Sequence, residues 1–244
     1  MRVLIVSDIH SNYTALDTVL AVAGEYDQLW NLGDTIGYGP RPNECVLAMR
    51  ARADLMLSGN HDLACLGKID LSDFNPDART ANIWNGKQLA DENRTALDTL
   101  SPQLTVDERF MLAHGSPREP VWEYLLSRVQ AEDNFELFTQ QVCFIGHSHV
   151  PLIVRLFPSG ECEEPMLADD DLLVDLEPGC RYFFNPGSVG QPRNQDPRAA
   201  YMILDTEANT VLFKRVEYDI AQTQRQMREA RLPPALIRRL EYGM

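Results

Sequence analysis

"LIVSDIHSNYTAL", residues 4 to 16, is an apolar run that stops abruptly on Ser7-Asp8-Ile9-His10. The run has the length and composition of a short buried strand. The next segment, from about Tyr13 to Ala23, reads as a helix with Leu16, Val19, Leu20 and Ala23 on one face. A strand that ends on a carboxylate and an imidazole at alternate positions projects both to one side of an extended turn. Asp8 and His10 are therefore expected to reach one point just past the strand end.

The same rhythm continues through the first half. Apolar segments at Arg2–Val6, Gln28–Asn31, Asp54–Leu57, Phe110–Ala113 and Val142–Ile145 predict strands. In "GYGPRPNEC", Pro42 or Asn43 opens a helix that carries Val46, Leu47 and Met49. Helical patterns also run from Asn75 to Leu100 and from Val121 to Phe138. Alternating strands and helices indicate a layered α/β sheet. From Pro151 the chain reads mainly as strands, "PLIVRLF", "RYFFN", "AAYMILD" and "TVLFKRV", before a helical tail interrupted at Pro233-Pro234. With no internal repeat or low-complexity linker, one catalytic domain over 1–217 and a helical extension over 218–244 are expected.

The 244 residues are 44% hydrophobic and 24% charged, a globular composition with enough chain for a substantial core. No stretch matches a signal-peptide core or a membrane span, so a cytoplasmic protein without membrane contact is expected. A net charge of -14 argues against long nucleic acids, whose phosphates need a basic face. The five cysteines are scattered without a C-x-x-C pair and read as reduced packing residues. The acidic run Glu161–Glu177 reads as a solvated excursion between strands. Arg225, Arg228, Arg231, Arg238 and Arg239 read as a charged helix face that could serve a partner or a second subunit in a homo-oligomer.

All five histidines fall in turns after predicted strands, in "SDIH", "GNHD", "AHG" and "GHSH". Loops at the carboxyl ends of strands are where layered α/β sheets gather side chains for a ligand. Asp34 in "NLGDTIGYG" and Asn60-His61 in "SGNHD" extend the set. It combines carboxylate, amide and imidazole groups without a thiolate, which suits a catalytic pair of divalent transition metals better than a structural zinc site.

The ordered series D-x-H, G-D, G-N-H-D, H-G and G-H-x-H, spanning residues 8 to 149, resembles the calcineurin-like metallophosphoesterases. "GDTIGYGPRPNE", "HGSPREPVWEYL" and "FFNPGSVGQPR" resemble the small prokaryotic YfcE-type phosphodiesterase branch. The resemblance implies that Asp8, His10 and His149 bind one metal, that Asn60, His114 and His147 hold a second, and that Asp34 bridges them. Mn, Fe, Zn, Co and Ni all suit such donors. It also implies hydrolysis of a small phosphate ester or nucleotide by a hydroxide held between the cations, with His61 as general acid. The βα units and the strand-rich half after them, taken with this family, lead to a four-layer α/β/β/α sandwich of two mixed sheets flanked by helices.

One departure matters. Where the protein-phosphatase branch has G-D-x-x-D-R-G, with the second aspartate orienting the histidine, this chain has Gly37 and no arginine after it. His61 is then expected to be oriented by Asp62 or by backbone, and a serine/threonine protein phosphatase is disfavoured. Tyr38, Arg41, Arg118, Tyr124 and Arg193 are candidate substrate contacts, and "NPGSVGQPR" a brace for the histidine loops. The competing readings are a phosphomonoesterase, a nuclease, and a binding or regulatory module that kept the fold but lost activity. A metallo-β-lactamase-like hydrolase would need an H-x-H-x-D-H run, which is absent.

Overall fold

The computed structural model describes all 244 residues. Twelve strands, numbered in chain order, form two six-stranded sheets. The first contains β1 (Arg2–Val6), β2 (Gln28–Asn31), β3 (Leu55–Met56), β9 (Leu173–Asp175), β11 (Ala199–Asp205) and β12 (Thr210–Val216), in the order β3-β2-β1-β11-β12-β9. The second contains β4 (Gln103–Thr105), β5 (Phe110–Ala113), β6 (Val142–Phe144), β7 (Leu152–Leu156), β8 (Met166–Leu167) and β10 (Arg181–Asn185), in the order β4-β5-β6-β10-β7-β8. Both are mixed: β1, β2 and β3 run parallel, as do β5, β6 and β10, while the remaining pairings are antiparallel.

Alternation along the strands builds the layers. Val3 and Ile5 of β1 face inward, where they join Trp30, Phe110, Leu112, Phe144, Phe184, Met202 and Phe213 from both sheets in one core. Leu4 and Val6 face outward against Leu16 and Val19 of α1 (Tyr13–Val22) and Met49 of α2 (Pro42–Arg52). On the outer face of the second sheet, Met111, Cys143 and Phe183 meet Ala131 and Phe135. The architecture is the α/β/β/α sandwich that the sequence implied. All five cysteines are free and buried. No helix is long and apolar enough to cross a membrane.

Several elements differ from the sequence expectations. Residues 60–66 form a helix, α3 (Asn60–Leu66), directly after β3, which is itself shorter than expected. The helical pattern from Asn75 to Leu100 is broken into α4 (Pro76–Gln88) and α5 (Asp91–Asp98). The Asn43 side chain causes the break, donating to the Gln88 carbonyl at 2.7 Å and accepting from the Ala90 N–H at 2.9 Å, so that Leu89 and Ala90 are extended. The helix expected over 121–138 shrinks to α6 (Arg128–Phe135), capped by Ser127. Its lost turns are held in a loop by Glu123, which accepts from Ser116 at 2.6 Å and from Asn134 at 3.0 Å. The acidic run is more than a solvated excursion. It supplies β8 and β9, one edge strand to each sheet, and its Asp170 pairs with Arg198 at 2.7 Å while Glu163 and Glu177 flank Arg155.

The tail forms α7 (Ile220–Glu229) and α8 (Pro234–Arg239). Met227, Leu232, Leu236, Ile237 and Leu240 bury themselves with Tyr38, Phe74, Ala78 and Ala81, placing the tail beside the loop after β2.

Phe184 is fully buried between the sheets, its ring centroid 5.4 Å from Tyr182 and 5.9 Å from Phe144. Phe184→Ala removes contacts to both layers and is expected to cost about 3–5 kcal/mol of unfolding free energy. Urea denaturation showing a loss below about 1 kcal/mol would mean that the sheets do not pack through this residue.

Candidate metal centre

Asp8 and His10 come after β1, Asp34 after β2, Asn60 opens α3 after β3, His114 comes after β5, and His147 and His149 after β6. These are the carboxyl ends of parallel strands in both sheets, so one cleft draws on each sheet. The turns are not extended, as the alternate spacing of Asp8 and His10 had suggested. Asp8, His10, Ser11, Asp34, His147 and His149 all have positive φ, between 50° and 64°. Non-glycine residues rarely adopt this left-handed region, and they concentrate where structure serves function. Backbone bonds between the loops hold it: Asp8 N–H to Gly33 at 3.1 Å, His10 N–H to Asp34 at 2.9 Å and Ser11 N–H to Thr35 at 3.1 Å.

The imidazoles are oriented by carbonyls. His10 Nδ1 lies 3.2 Å from the Ile36 oxygen, His149 Nδ1 2.5 Å from the Gln191 oxygen and His114 Nδ1 3.0 Å from the Leu32 oxygen. A carbonyl only accepts, so each Nδ1 carries the proton. For neutral His10 and His149 the Nε2 lone pair is therefore free, and these two Nε2 atoms face each other at 3.0 Å. Two lone pairs at that distance repel unless a cation or proton lies between them. His147 is reversed: its Nε2 donates to the Trp122 carbonyl at 3.1 Å, leaving Nδ1 free.

The carboxylates complete the centre. Asp8 and Asp34 are fully buried, and Asp8 Oδ1 and Asp34 Oδ2 have no hydrogen-bond partner. Asp34 Oδ2 lies 3.6 Å from His10 Nε2 and 3.5 Å from His114 Nε2, and Asp8 Oδ1 lies 3.3 Å from His149 Nε2. Two groups of ligand atoms result, Asp8, His10, Asp34 and His149, and Asp34, His114 and His147, with the atoms of each lying within 4.8 Å of one another. Asp34 belongs to both. Asn60 adds its amide oxygen 3.3 Å from His114 Nε2. Burial raises the Asp34 pKa, but the neighbouring imidazoles, His114 foremost, outweigh it and hold the carboxyl well below its usual range. Burial opposes charge on His114 as well, yet Asp34 prevails and raises that imidazole to about 9. Orphaned carboxylate oxygens and converging lone pairs fit divalent cations, whose binding would displace the His114 proton.

His61 is held by a residue that sequence reasoning missed. Its Nδ1 lies 2.8 Å from the side-chain oxygen of Asn82, on α4. An aspartate at position 37 has no room, because a Cβ on Gly37 (φ +97°) would come within 2.9 Å of His61 Nδ1. Asp62, the expected orienting group, instead accepts the N–H groups of Thr35 (3.2 Å), Ile36 (3.0 Å) and Gly59 (3.0 Å), fixing the Asp34 loop. Burial, then the Asp34 charge, push Asp62 up to about 7. Burial lowers His61 to about 4.

Of the five candidate substrate contacts, three reach the cleft. Tyr38 packs 4.7 Å from His10 and 4.3 Å from His61 between ring centroids. Tyr124 stacks on His147 at 4.2 Å, and Arg193 donates to the Tyr38 hydroxyl at 3.3 Å. Arg41 instead pairs with Glu44 at 3.0 Å, lining a separate surface cavity, and the charge of Arg118 is committed to Glu123 and Asp133. "NPGSVGQPR" does brace the centre: Ser188 Oγ donates to the Asp8 carbonyl at 2.7 Å, and Arg193 N–H to the His149 carbonyl at 3.3 Å.

Residues 1–209 match the family model of the calcineurin-like phosphoesterase superfamily domain. The chain belongs to this superfamily. A metallophosphoesterase from Sphaerobacter thermophilus, known as a crystal structure, is 46% identical, with a TM-score of 0.91 over 100% of this chain and 99% of its own. An uncharacterized protein of Methanocaldococcus jannaschii is 36% identical over 99% of this chain and 98% of its own length. The symmetrical bis(5'-nucleosyl)-tetraphosphatase of Chromohalobacter salexigens is 31% identical over 46% of this chain and 35% of its own. The phosphoesterase match takes in every residue of the centre, including Asn82, and leaves α7 and α8 beyond it.

A neutral amide gives the His61 imidazole direction without charge. Asn82→Asp places a carboxylate there and is expected to raise the His61 pKa by roughly one to three units, because an adjacent anion favours imidazolium. NMR titration of the ring protons reads this directly. An unchanged pKa would show that Asn82 does not contact His61 in solution.

Proposed function

We propose that the protein is a dinuclear metal-dependent phosphoesterase that hydrolyses small phosphate esters, with nucleotide-type phosphodiesters preferred. The observation that carries this is Asp34, one buried carboxylate shared between two groups of converging ligands. Asp8, His10 and His149 would hold one cation, and Asn60, His114 and His147 the other. Bound there, two cations neutralise phosphoryl charge and lower the pKa of water, the usual contribution of paired metals to phosphoester hydrolysis.

The chain's own residues do the rest. Carbonyls fix each imidazole before any substrate arrives, so little reorganisation accompanies the reaction. Tyr124 and Tyr38 wall the cleft. His61 gives a proton to the departing oxygen from Nε2, the ring nitrogen without a protein partner, while Nδ1 stays on Asn82. The pKa of about 4 leaves His61 neutral in the empty site. A bound phosphoryl anion supplies the charge that draws a proton onto it. The relation to a bis(5'-nucleosyl)-tetraphosphatase supports nucleotides as the substrate class. The filled ligand set gives no support to the inactive binding module.

A panel of phosphomonoesters, phosphodiesters and nucleotides, assayed with each candidate metal, tests this reading. Asp34→Asn is expected to lower kcat/KM on the best substrate by at least about 10³-fold with the fold intact, since shared charge on both cations is lost. Arg41→Ala, outside the cleft, keeps wild-type turnover. Full activity in Asp34→Asn would remove the shared carboxylate from the mechanism.

A further inference from the structure

The four imidazoles of the centre do not all present the same nitrogen. His10, His114 and His149 give Nδ1 to a carbonyl and leave Nε2 facing the buried carboxylates, whereas His147 gives Nε2 to the Trp122 carbonyl at 3.1 Å and leaves Nδ1 free. A neutral imidazole carries one proton, so the partner of one nitrogen decides whether the other has a lone pair for a cation. Two of the carbonyls lie in segments held by a buried side chain: Asp62 accepts the Ile36 N–H at 3.0 Å, and Ser188 Oγ accepts the Gln191 N–H at 2.7 Å. For Trp122 the holder is its neighbour, Glu123.

Glu123 lies in the loop between β5 and α6 with its side chain only 11% exposed. Its carboxylate accepts from Ser116 Oγ at 2.6 Å, from Asn134 Nδ2 at 3.0 Å, and from Arg118 through Nε at 3.3 Å and through a terminal nitrogen. Burial raises the Glu123 pKa, but Arg118, Ser116 and Asn134 outweigh it and hold the carboxyl below its usual range. Bonds to an ionised acceptor are the strong ones. The peptide that joins Trp122 to Glu123 gives its C=O to His147 and its N–H to the Glu119 carbonyl at 3.3 Å, so an anchored Glu123 fixes the acceptor itself. The next residue, Tyr124, stacks on the His147 ring at 4.2 Å with 9° between the planes. The same loop presses on the neighbour of His114: the Gly115 N–H donates to the Pro120 carbonyl at 2.8 Å, and a Cβ on Gly115 would lie 2.8 Å from the Glu119 oxygen and 3.1 Å from the Glu123 oxygen. One loop thus serves both imidazoles of the second ligand group, whereas those of the first rest on the segments of Ile36 and Gln191.

We propose that Glu123 is a positioning residue that fixes the His147 tautomer through the Trp122 carbonyl and thereby sets the affinity for the cation assigned to Asn60, His114 and His147. This rests on the two-cation reading of the centre. An imidazole held with its lone pair already directed at the cation binds without first reorienting or shifting its proton. Because the anchor of the second group is separate from those of the first, the two affinities can change independently.

The test is a series of long-range proton–nitrogen correlation spectra of the histidine rings in the full chain, first free of metal and then at increasing buffered Zn²⁺, a diamagnetic ion suited to these donors. Metal-free wild type is expected to carry the proton on Nε2 of His147 and on Nδ1 of His10 and His149, and Glu123→Ala to show both forms of His147. Zn²⁺ affinity read at His114 and His147 should fall by about 10- to 100-fold in Glu123→Ala, the usual effect of losing the group behind a ligating imidazole, while that read at His10 and His149 stays within about threefold. Glu123→Gln keeps an oxygen for Ser116 and Asn134 and should recover most of the loss, since the exposed pair with Arg118 contributes little. Ser116→Ala removes one bond to Glu123 and should weaken the same group by about 2- to 10-fold, which decides the matter if Glu123→Ala does not fold. A wild-type His147 protonated on Nδ1, unchanged affinity at His114 and His147 in the folded variants, or equal losses at both groups would overturn the proposal. A His147 tautomer that follows Glu123, in a wild type that takes Zn²⁺ at only one group, would uphold the anchor and refute the two-cation reading. Two filled groups indifferent to Glu123 would do the reverse.

Discussion

A buried carboxylate without its own counter-charge is too costly to keep, and Asp34 is the point around which this molecule resolves that cost. One oxygen accepts the His61 N–H at 2.8 Å, and the other faces His10 and His114 from opposite sheets. Its loop is fixed by Asp62, and Gly59 passes so close that a Cβ there would lie 2.0 Å from Asp34 Oδ1. The loops of both sheets thus meet on this one carboxylate.

The two-sheet architecture makes that convergence geometrically available. Parallel β1, β2 and β3 send three loops to one end of the first sheet, and parallel β5 and β6 send two to the matching end of the second. The aromatic core between them, Trp30, Phe110, Phe144 and Phe184, fixes the spacing from which the loops reach toward one another. Packing thus sets where the ligands start, and left-handed turns set where they finish.

Much of this was legible in the sequence because chemistry and periodicity left separate marks. The alternation of strand and helix segments, followed by a strand-rich half, marked the layers, and histidines at strand ends marked the candidate centre. The positive φ at Asp8, His10 and Asp34 left no mark, since hydrophobic periodicity carries no information on turn handedness. Asn82 was hidden for another reason: its link to His61 depends on how α4 packs over α3. The available signal was the pair Asn82 and Asn85, buried on one face of a helix where asparagine is unfavourable without a partner. Strands β8 and β9 were missed because their exposed residues show no apolar alternation.

The central claim is that two cations share Asp34, and crystals of the Mn²⁺-loaded protein measured at the manganese absorption edge test it most directly. The account predicts two anomalous peaks roughly 3.5–4 Å apart. One should lie among Asp8, His10 and His149, the other among Asn60, His114 and His147, with Asp34 contacting both. A single peak, or two that do not share Asp34, would contradict it.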